Sequence, residues 1–232
     1  MGILHTFLLV LVGSLGSLAL EDLERKALIF PEASNTAHVV LRAARQQSLT
    51  SFTVCLRSYT DLNRAYSLFS YATRKSDNEL LVFKPKSNQY SLYVGGSVVT
   101  FSIADNPVPK PQWEHICVSW ESATGIVEFW LNGDHLPRKG VKKGYTIGSE
   151  ASIVLGQEQD SFGGGFDVNQ SFVGEITDVC LWDRVLSSDE LALVGNGRRL
   201  SNYLVDWRSL NYEIKGYAVV KPSLFSPYRA SM

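Results

Sequence analysis

The sequence predicts an all-β protein in which two antiparallel sheets pack face to face, with one short helix. Three observations support this fold class. Short runs rich in Val, Ile, Phe, Tyr, Trp and Thr recur between turn residues. One capping-box motif marks a single helix. The 232 residues are 45% hydrophobic, without an internal repeat or a linker-like segment, which is enough for one sizeable core. We therefore expect a single two-sheet sandwich.

The predicted elements follow in chain order, each bounded by turn residues. The strands cover residues 37–42, 66–72, 79–84, 90–94, 113–121, 126–131, 152–155 and 172–182. Asn132-Gly133 predicts a type I′ hairpin turn, because both residues tolerate a positive φ. The helix is predicted after Ser187, which forms the capping box with Glu190, and should end near Gly195 after about two turns.

The first 19 residues have the pattern of a secretory signal peptide. They contain no Lys, Arg, Asp or Glu, and an apolar run at 7–12 is followed by Ser17 and Ala19 at the −3 and −1 positions of a cleavage site. The run is shorter than the roughly 20 residues that span a bilayer, and no later segment reaches that length. We expect a signal peptide at 1–19, one domain at 20–232, and a secreted, extracellular protein without a transmembrane segment.

The charges of the chain nearly cancel, with 22 basic and 23 acidic residues and a formal net charge of −1. No chain-wide positive field is therefore available to hold nucleic acid or an anionic membrane surface. A charged ligand has to be bound locally, and we expect no dedicated nucleic-acid site.

Common enzyme signatures are missing from the sequence, which has no G-x-S-x-G elbow, no H-E-x-x-H helix and no Gly-rich phosphate loop. Glu158 and Asp160 lie on one side of an extended chain and leave one enzyme alternative, a jelly-roll glycoside hydrolase with paired carboxylates. The glycosidase pattern continues with a Glu three residues after the Asp, where this chain has Gly163. We expect a protein that is not an enzyme and has no catalytic residues.

The same segment has the composition of a hard-cation site. Five side chains with oxygen donors fall within thirteen residues: Glu158, Gln159, Asp160, Asp167 and Gln170. The flexible run 163–165 consists of glycines that allow the chain to wrap round an ion. Calcium binds six to eight such oxygens, and the lack of Cys and His in the segment disfavours zinc or copper. The alternative is a solvated acidic loop on a metal-free structural sandwich.

Three cysteines, Cys55, Cys117 and Cys180, lie in strand-like stretches of the chain, which we expect to be secreted. An oxidising compartment allows one disulfide and leaves one thiol. Alternation turns Cys55 and Cys117 away from the core-facing residues of their strands, so they could meet across neighbouring strands. Counting alone leaves all three pairings open.

Residues 115–122, His-Ile-Cys-Val-Ser-Trp-Glu-Ser, match the signature His-x-Cys-x-Ser/Thr-Trp-x-Ser/Thr of the pentraxins. The chain resembles the short pentraxin family over its whole mature length, including the segment 155–164. The resemblance implies a jelly-roll sandwich of the lectin type and a secreted, calcium-dependent pattern-recognition role in innate immunity and the acute phase. It also implies a cyclic homopentamer, and it assigns the disulfide to Cys55 and Cys117.

The resemblance further implies a site with two calcium ions per subunit. The first ion would be bound by Asp77, Asn78, Glu158, the carbonyl of Gln159, and Asp160. The second would share Glu158 and Asp160 and add Asp167 and Gln170. An apolar wall beside the ions would be formed by Leu81, Phe83 and Tyr93, with the ions binding the phosphate of a phosphocholine or phosphoethanolamine ligand.

The chain departs from the family pattern at several positions. Val98 replaces the acidic residue that faces the ammonium group in phosphocholine binders, so we expect broader capture of anionic phosphate or carbohydrate groups. Asn169-Gln-Ser is a possible N-glycosylation sequon, the alternative being an unused one. Cys180 is interpreted as a buried thiol, with a link between chains as the alternative.

Two further segments have no assigned role in the resemblance. The basic residues Arg138, Lys139, Lys142 and Lys143 are interpreted as a solvated rim, with a subunit contact or an acidic partner as alternatives. The tail from about residue 225 extends beyond the usual family end. The family also implies complement's first component and Fc receptors as partners.

Overall fold

The structure is a computed structural model that describes residues 22–103 and 111–225. The predicted signal peptide and the end of the tail lie outside the described residues. Within them the chain forms sixteen strands and one α-helix, with these bounds: β1 Lys26–Phe30, β2 His38–Arg42, β3 Ser51–Tyr59, β4 Tyr66–Thr73, β5 Leu80–Lys86, β6 Gln89–Val94, β7 Ser97–Ser102, β8 Glu114–Glu121, β9 Ile126–Leu131, β10 Asp134–His135, β11 Lys139–Gly140, β12 Ala151–Leu155, β13 Gly174–Trp182, α1 Ser188–Gly195, β14 Tyr203–Val205, β15 Asn211–Lys215 and β16 Val219–Pro222.

The strands form two antiparallel sheets, as the sequence predicts. The nine-stranded sheet has the order β10-β9-β8-β3-β13-β1-β16, with β11 paired to β9 and β14 paired to β13. The seven-stranded sheet has the order β15-β2-β12-β4-β5-β6-β7. No helix in the described part of the chain is long and apolar enough to cross a bilayer.

The main core lies between the two sheets and follows the alternation of the strands. In β3, Phe52, Val54 and Leu56 point into it, and in β5 Leu80 and Val82 do so. Each of these side chains is at most 1% exposed. Burial of a side chain of this size stabilises the fold by roughly 1.5–3 kcal/mol relative to exposure. The outward positions of β5 are thereby free to form a separate surface.

A second apolar cluster covers the outer face of the nine-stranded sheet beneath α1. It consists of Cys55, Cys117, Trp130, Trp182, Leu186 and Leu191. The predicted disulfide between Cys55 and Cys117 is confirmed, and the two residues lie opposite each other in β3 and β8. These cysteines leave the main core as expected, and they remain buried because α1 packs over them.

The predicted helix and hairpin are also confirmed. In α1 the Glu190 amide donates to the Ser187 hydroxyl at 3.3 Å, and the Ser187 amide donates to the Glu190 carboxylate at 3.0 Å. In the hairpin after β9, Asn132 and Gly133 have φ values of 53° and 91°, as a type I′ turn requires.

Candidate functional site

The candidate site lies where the turn after β4 meets the long loop between β12 and β13. The loop leaves the end of β12 that is paired with the middle of β4, and it folds back along these strands, so that Glu158 approaches Asp77 and Asn78 in the turn. The loop begins at Gly156, which has a φ of +86°. A Cβ at this position would lie 2.3 Å from Phe30 Cε1, so the chain can leave β12 in this direction only with glycine.

Gln159 holds the loop from inside. Its side-chain amide donates to the carbonyls of Ser70 at 3.2 Å and Ser152 at 3.1 Å, and its Oε1 accepts from the Gly163 amide at 2.9 Å. The side chain is fully buried. The Gln159 side chain is therefore a structural anchor, which leaves its backbone carbonyl as the ligand that the family resemblance implies.

Four of the predicted ligands are brought together: Asp77, Asn78, Glu158 and Asp160. Burial, and then the negative charges of Asp160 and Asp77, raise the pKa of Glu158 to about 7, while a hydrogen bond from Asn78 acts in the opposite direction. Asp77 Oδ1 accepts a hydrogen bond from the Asn78 amide at 2.8 Å. Segments 81 residues apart in the sequence thus form one acidic cluster whose carboxylates repel each other.

Three oxygen atoms of the predicted ligands have unmet hydrogen-bonding capacity. Asn78 Oδ1, Glu158 Oε2 and Gln170 Oε1 are buried without a hydrogen-bond partner among the described residues. Buried polar atoms are nearly always paired, because an unpaired one loses its water without compensation. All three are oxygens, and oxygen is the donor that hard cations such as calcium prefer. The residues present therefore fit a calcium ion.

Asp167 and Gln170 lie farther along the same loop, around a single 3₁₀ turn at Val168–Gln170. Asp167 Oδ1 accepts from the Asn169 amide at 2.9 Å and from Asn169 Nδ2 at 3.0 Å. Arg64 anchors this turn by donating to the carbonyls of Asn169 and Ser171. Asp167 is not among the carboxylates that raise the pKa of Glu158, so the structure joins it to the cluster through the loop alone.

The predicted apolar wall lies on the outer face of β5 and β6. Leu81 is opposite Tyr93, and Tyr93 is opposite Val98 in β7, so the three side chains form one cross-strand row. Leu81 is 2% and Phe83 8% exposed, whereas Tyr93 is half-buried and Val98 is 50% exposed. Burial, and next the charge of Glu158, raises the pKa of Tyr93. The accessible part of the wall is therefore Tyr93 with Val98, beside the acidic cluster.

A second group of potential metal ligands lies on the other sheet. Donor atoms of Cys55, His115 and Cys117 are within 4.8 Å of one another. In the described part of the chain, no set of three or more acidic residues brings its carboxylate oxygens that close together. The two cysteines are joined in the disulfide, so their sulfurs are not available to a metal. Burial, and then the charge of Arg57, lowers the pKa of His115 to about 3, as for a histidine that is buried in its neutral form.

The remaining cysteine is half-buried, and two residues of the basic cluster are bound within their own chain. Cys180 lies opposite Cys55 in the nine-stranded sheet, and burial raises the pKa of its thiol to about 12. Lys139 Nζ donates to the carbonyl of Thr100 at 2.5 Å, and Arg138 pairs with Glu128. The basic residues are half-buried or exposed, as a rim would be.

Sequence reasoning missed Arg64 and the role of the Gln159 side chain, which hold the site in place. Arg64 and Gln159 act through backbone carbonyls and amides of distant segments, which no local pattern indicates. A cavity of about 440 Å³ near the loop, lined in part by Arg42, Arg45 and Phe162, contains none of the predicted ligands.

A two-sheet antiparallel sandwich whose edge loops gather oxygen donors belongs to the jelly-roll proteins of the lectin type. The model described as the Pentaxin family matches residues 26–222. Serum amyloid P-component of Bos taurus is 53% identical over 205 residues, covering 88% of this chain and 90% of the relative. Mucosal pentraxin of Rattus norvegicus is 50% identical over 224 residues, covering 97% of this chain and 98% of the relative. The chain therefore belongs to the pentraxin family.

A solved structure supports the fold. The heptameric SAP-like pentraxin of Limulus polyphemus superimposes with a TM-score of 0.75 at 24% identity, covering 88% of this chain and 97% of that chain. Membership of the family makes this chain a non-enzymatic pattern-recognition protein of innate immunity, and its relatives fit a role in the acute phase. The family binds calcium. The glycoside hydrolase alternative is excluded.

Proposed function

We propose that this pentraxin is a secreted, calcium-dependent lectin for phosphate-bearing or anionic carbohydrate and lipid head groups of the phosphocholine and phosphoethanolamine class. The observation that carries the proposal is the set of three buried, unpartnered oxygens on Asn78, Glu158 and Gln170. They belong to two loops that together offer an oxygen-rich site next to the accessible surface of Tyr93 and Val98.

Two ions per subunit fit the charges of the site. The residues proposed for the first are Asp77, Asn78, Glu158, the Gln159 carbonyl and Asp160, and those for the second are Glu158, Asp160, Asp167 and Gln170. The four carboxylates bring a charge of −4, which two calcium ions balance. Bound calcium supplies the positive charge that binds a phosphate or carboxylate group. We expect submillimolar to millimolar affinity, as is usual for extracellular modules.

The wall determines which anionic ligands fit. Tyr93 offers an aromatic face for cation–π contact with an ammonium group. Val98, at the position where phosphocholine binders carry an acid, is exposed and uncharged. The ammonium group of either head group therefore gains no ion pair there, and we propose that the site accepts phosphoethanolamine and other anionic groups as readily as phosphocholine.

The proposal extends to localisation and assembly. We propose that residues 1–19 are removed as a signal peptide and that residues 20–232 are secreted as one domain with a short C-terminal extension. We propose a cyclic homopentamer, and the heptameric state of the Limulus relative supports an oligomer. Complement's first component and Fc receptors are proposed as partners on family membership alone.

Capture on phosphocholine and phosphoethanolamine beads, with calcium and with chelator, tests the proposal. We expect binding that requires calcium and differs less than about fivefold between the two ligands. Val98→Glu should strengthen binding of both ligands by about fivefold, since each carries a cationic ammonium group and one solvent-exposed ion pair contributes about 1 kcal/mol. Val98→Gln, of similar polarity but uncharged, is the matched control. A strong, exclusive preference of the wild type for phosphocholine would contradict the role of Val98, and binding in chelator would contradict the site.

A further inference from the structure

The loop that carries the proposed second calcium ion also carries the only N-x-Ser/Thr sequence in the chain, at Asn169-Gln-Ser171. Gln170 is not proline, so the sequence is competent for N-glycosylation during passage through the secretory pathway. A role for this sequence rests on the proposed function and on secretion of the chain.

The local structure can accommodate a glycan without rearrangement. Asn169 is exposed, in the middle of the single 3₁₀ turn at Val168–Gln170. Arg64 holds the backbone on both sides, at 3.2 Å to the Asn169 carbonyl and 2.6 Å to the Ser171 carbonyl. Ser171 is 1% exposed and its hydroxyl donates to the Val168 carbonyl at 2.7 Å. A sugar on Asn169 would therefore extend into solvent from a fixed backbone and displace no core residue.

The position of Asn169 places that sugar at the edge of the proposed ligand surface. Asp167 and Gln170, the residues proposed only for the second ion, flank it at two and one residues. Consecutive Cα atoms are about 3.8 Å apart, so the attachment point lies within roughly 8 Å of both. Gln170 Oε1 is buried and would remain free of the sugar. Asn169 Nδ2, which would carry the sugar, lies 3.0 Å from Asp167 Oδ1, so the glycan would crowd the space beside the proposed second ion.

We propose that Asn169 carries an N-linked glycan that restricts the calcium face to small, terminal anionic groups and excludes extended polyanions. A small head group needs only the immediate surroundings of the ions. A long polymer must lie across the rim of the site, where the glycan stands.

Intact mass of the secreted full-length chain tests the modification. The chain is produced in a host that keeps its glycans in the high-mannose form and is trimmed with an endoglycosidase that leaves a single N-acetylglucosamine. This trimming avoids the Asn-to-Asp conversion caused by amide-cleaving glycosidases, which would add a carboxylate two residues from Asp167. We expect a glycan mass that disappears in Asn169→Gln. Asn35→Gln, at an exposed asparagine outside any sequon, is the matched control and should keep it.

Binding to two phosphate ligands of different size tests the restriction. Trimming, or Asn169→Gln, should leave calcium-dependent binding of phosphoethanolamine within about twofold and strengthen capture of long-chain polyphosphate at least about fivefold. A secreted chain without sugar mass would overturn the proposal, and so would equal polyphosphate capture before and after trimming. Absence of calcium-dependent binding to both ligands would overturn the proposed function and the size restriction together, while the mass would still decide whether Asn169 is modified.

Discussion

Replacing Glu158 with glutamine should stabilise the calcium-free protein. Burial and the charges of Asp160 and Asp77 raise the pKa of Glu158 to about 7 from its ordinary value of 4.5. A carboxyl whose pKa is raised by folding favours the folded state below pH 4.5 and loses that contribution as the pH rises through 7. The difference corresponds to about 3 kcal/mol at about 1.4 kcal/mol per pKa unit. Asp160 is exposed and Asp77 half-buried, so water screens part of the repulsion, and we expect a gain of about 1–2 kcal/mol for E158Q at about pH 8.

In calcium, the wild type should become more stable than E158Q. At about 5 mM calcium and a Kd of about 0.1 mM, each ion bound to the folded state adds about 2 kcal/mol to the free energy of unfolding. For a domain of this size that raises Tm by about 4–8 °C per ion. Glu158 is proposed as a ligand of both ions, so E158Q should gain much less than the wild type.

Thermal and urea unfolding, each in chelator and in calcium, measure both effects. Asp134→Asn, at an exposed acid in β10 far from the loop in sequence, is the control and should leave the stability in chelator and the calcium shift unchanged. Two results would refute the reasoning. One is an E158Q protein less stable than the wild type in chelator, and the other is an equal calcium shift in both.

Three further predictions concern the loop, a buried ion pair and the free thiol. Chelator should expose residues 163–168 to proteases and calcium should protect them, and equal cleavage in both conditions would contradict ordering of the loop by calcium. Lys84→Met should destabilise the protein by about 3 kcal/mol in urea unfolding, because Lys84 Nζ lies 2.7 and 2.8 Å from the Glu114 oxygens and the carboxylate would lose its partner. Adding Glu114→Gln should recover part of the loss, and a cost below about 1 kcal/mol for the single variant would contradict the pair. Cys180, with a pKa of about 12, should react with iodoacetamide at about pH 8 at least tenfold more slowly in the native than in the unfolded chain, and rapid native labelling would argue against a buried thiol.

The strands that sequence reasoning found are those with a clean pattern. The segments 66–72 and 126–131 alternate or form apolar runs between turns, and β4 and β9 occupy nearly the same residues. The predicted set did not include β1, β7, β14, β15 and β16, or the two-residue strands β10 and β11. In β15 every residue is half-buried or exposed, because it pairs only with β2 at the sheet edge, so no buried face imposes an alternation. An edge strand of this kind is specified by pairing across the sheet rather than by local hydrophobicity.

The candidate site was likewise only partly predictable from the local sequence. The acidic run in the β12–β13 loop is visible in the sequence, and the oxygen donors within it predict a hard-cation site. Asp77 and Asn78 join it only because the loop folds back over β4, which the local pattern does not specify, and only the family resemblance indicated them. For Gln159 the residue type alone was misleading, because its side-chain oxygen accepts a hydrogen bond within the loop and is not directed to an ion.

The net charge of −1 conceals an asymmetry that folding creates. In the unfolded chain Asp77 and Glu158 are 81 residues apart and interact little. The fold places both in one cluster, and the raised pKa of Glu158 shows that its charged form destabilises the folded state. Calcium bound by the folded state alone opposes this destabilisation by mass action. On the proposed function, the carboxylates that weaken the calcium-free fold are therefore the ones that make it a receptor for anions. With sites of submillimolar to millimolar affinity, stability and recognition would both depend on the calcium levels found outside cells.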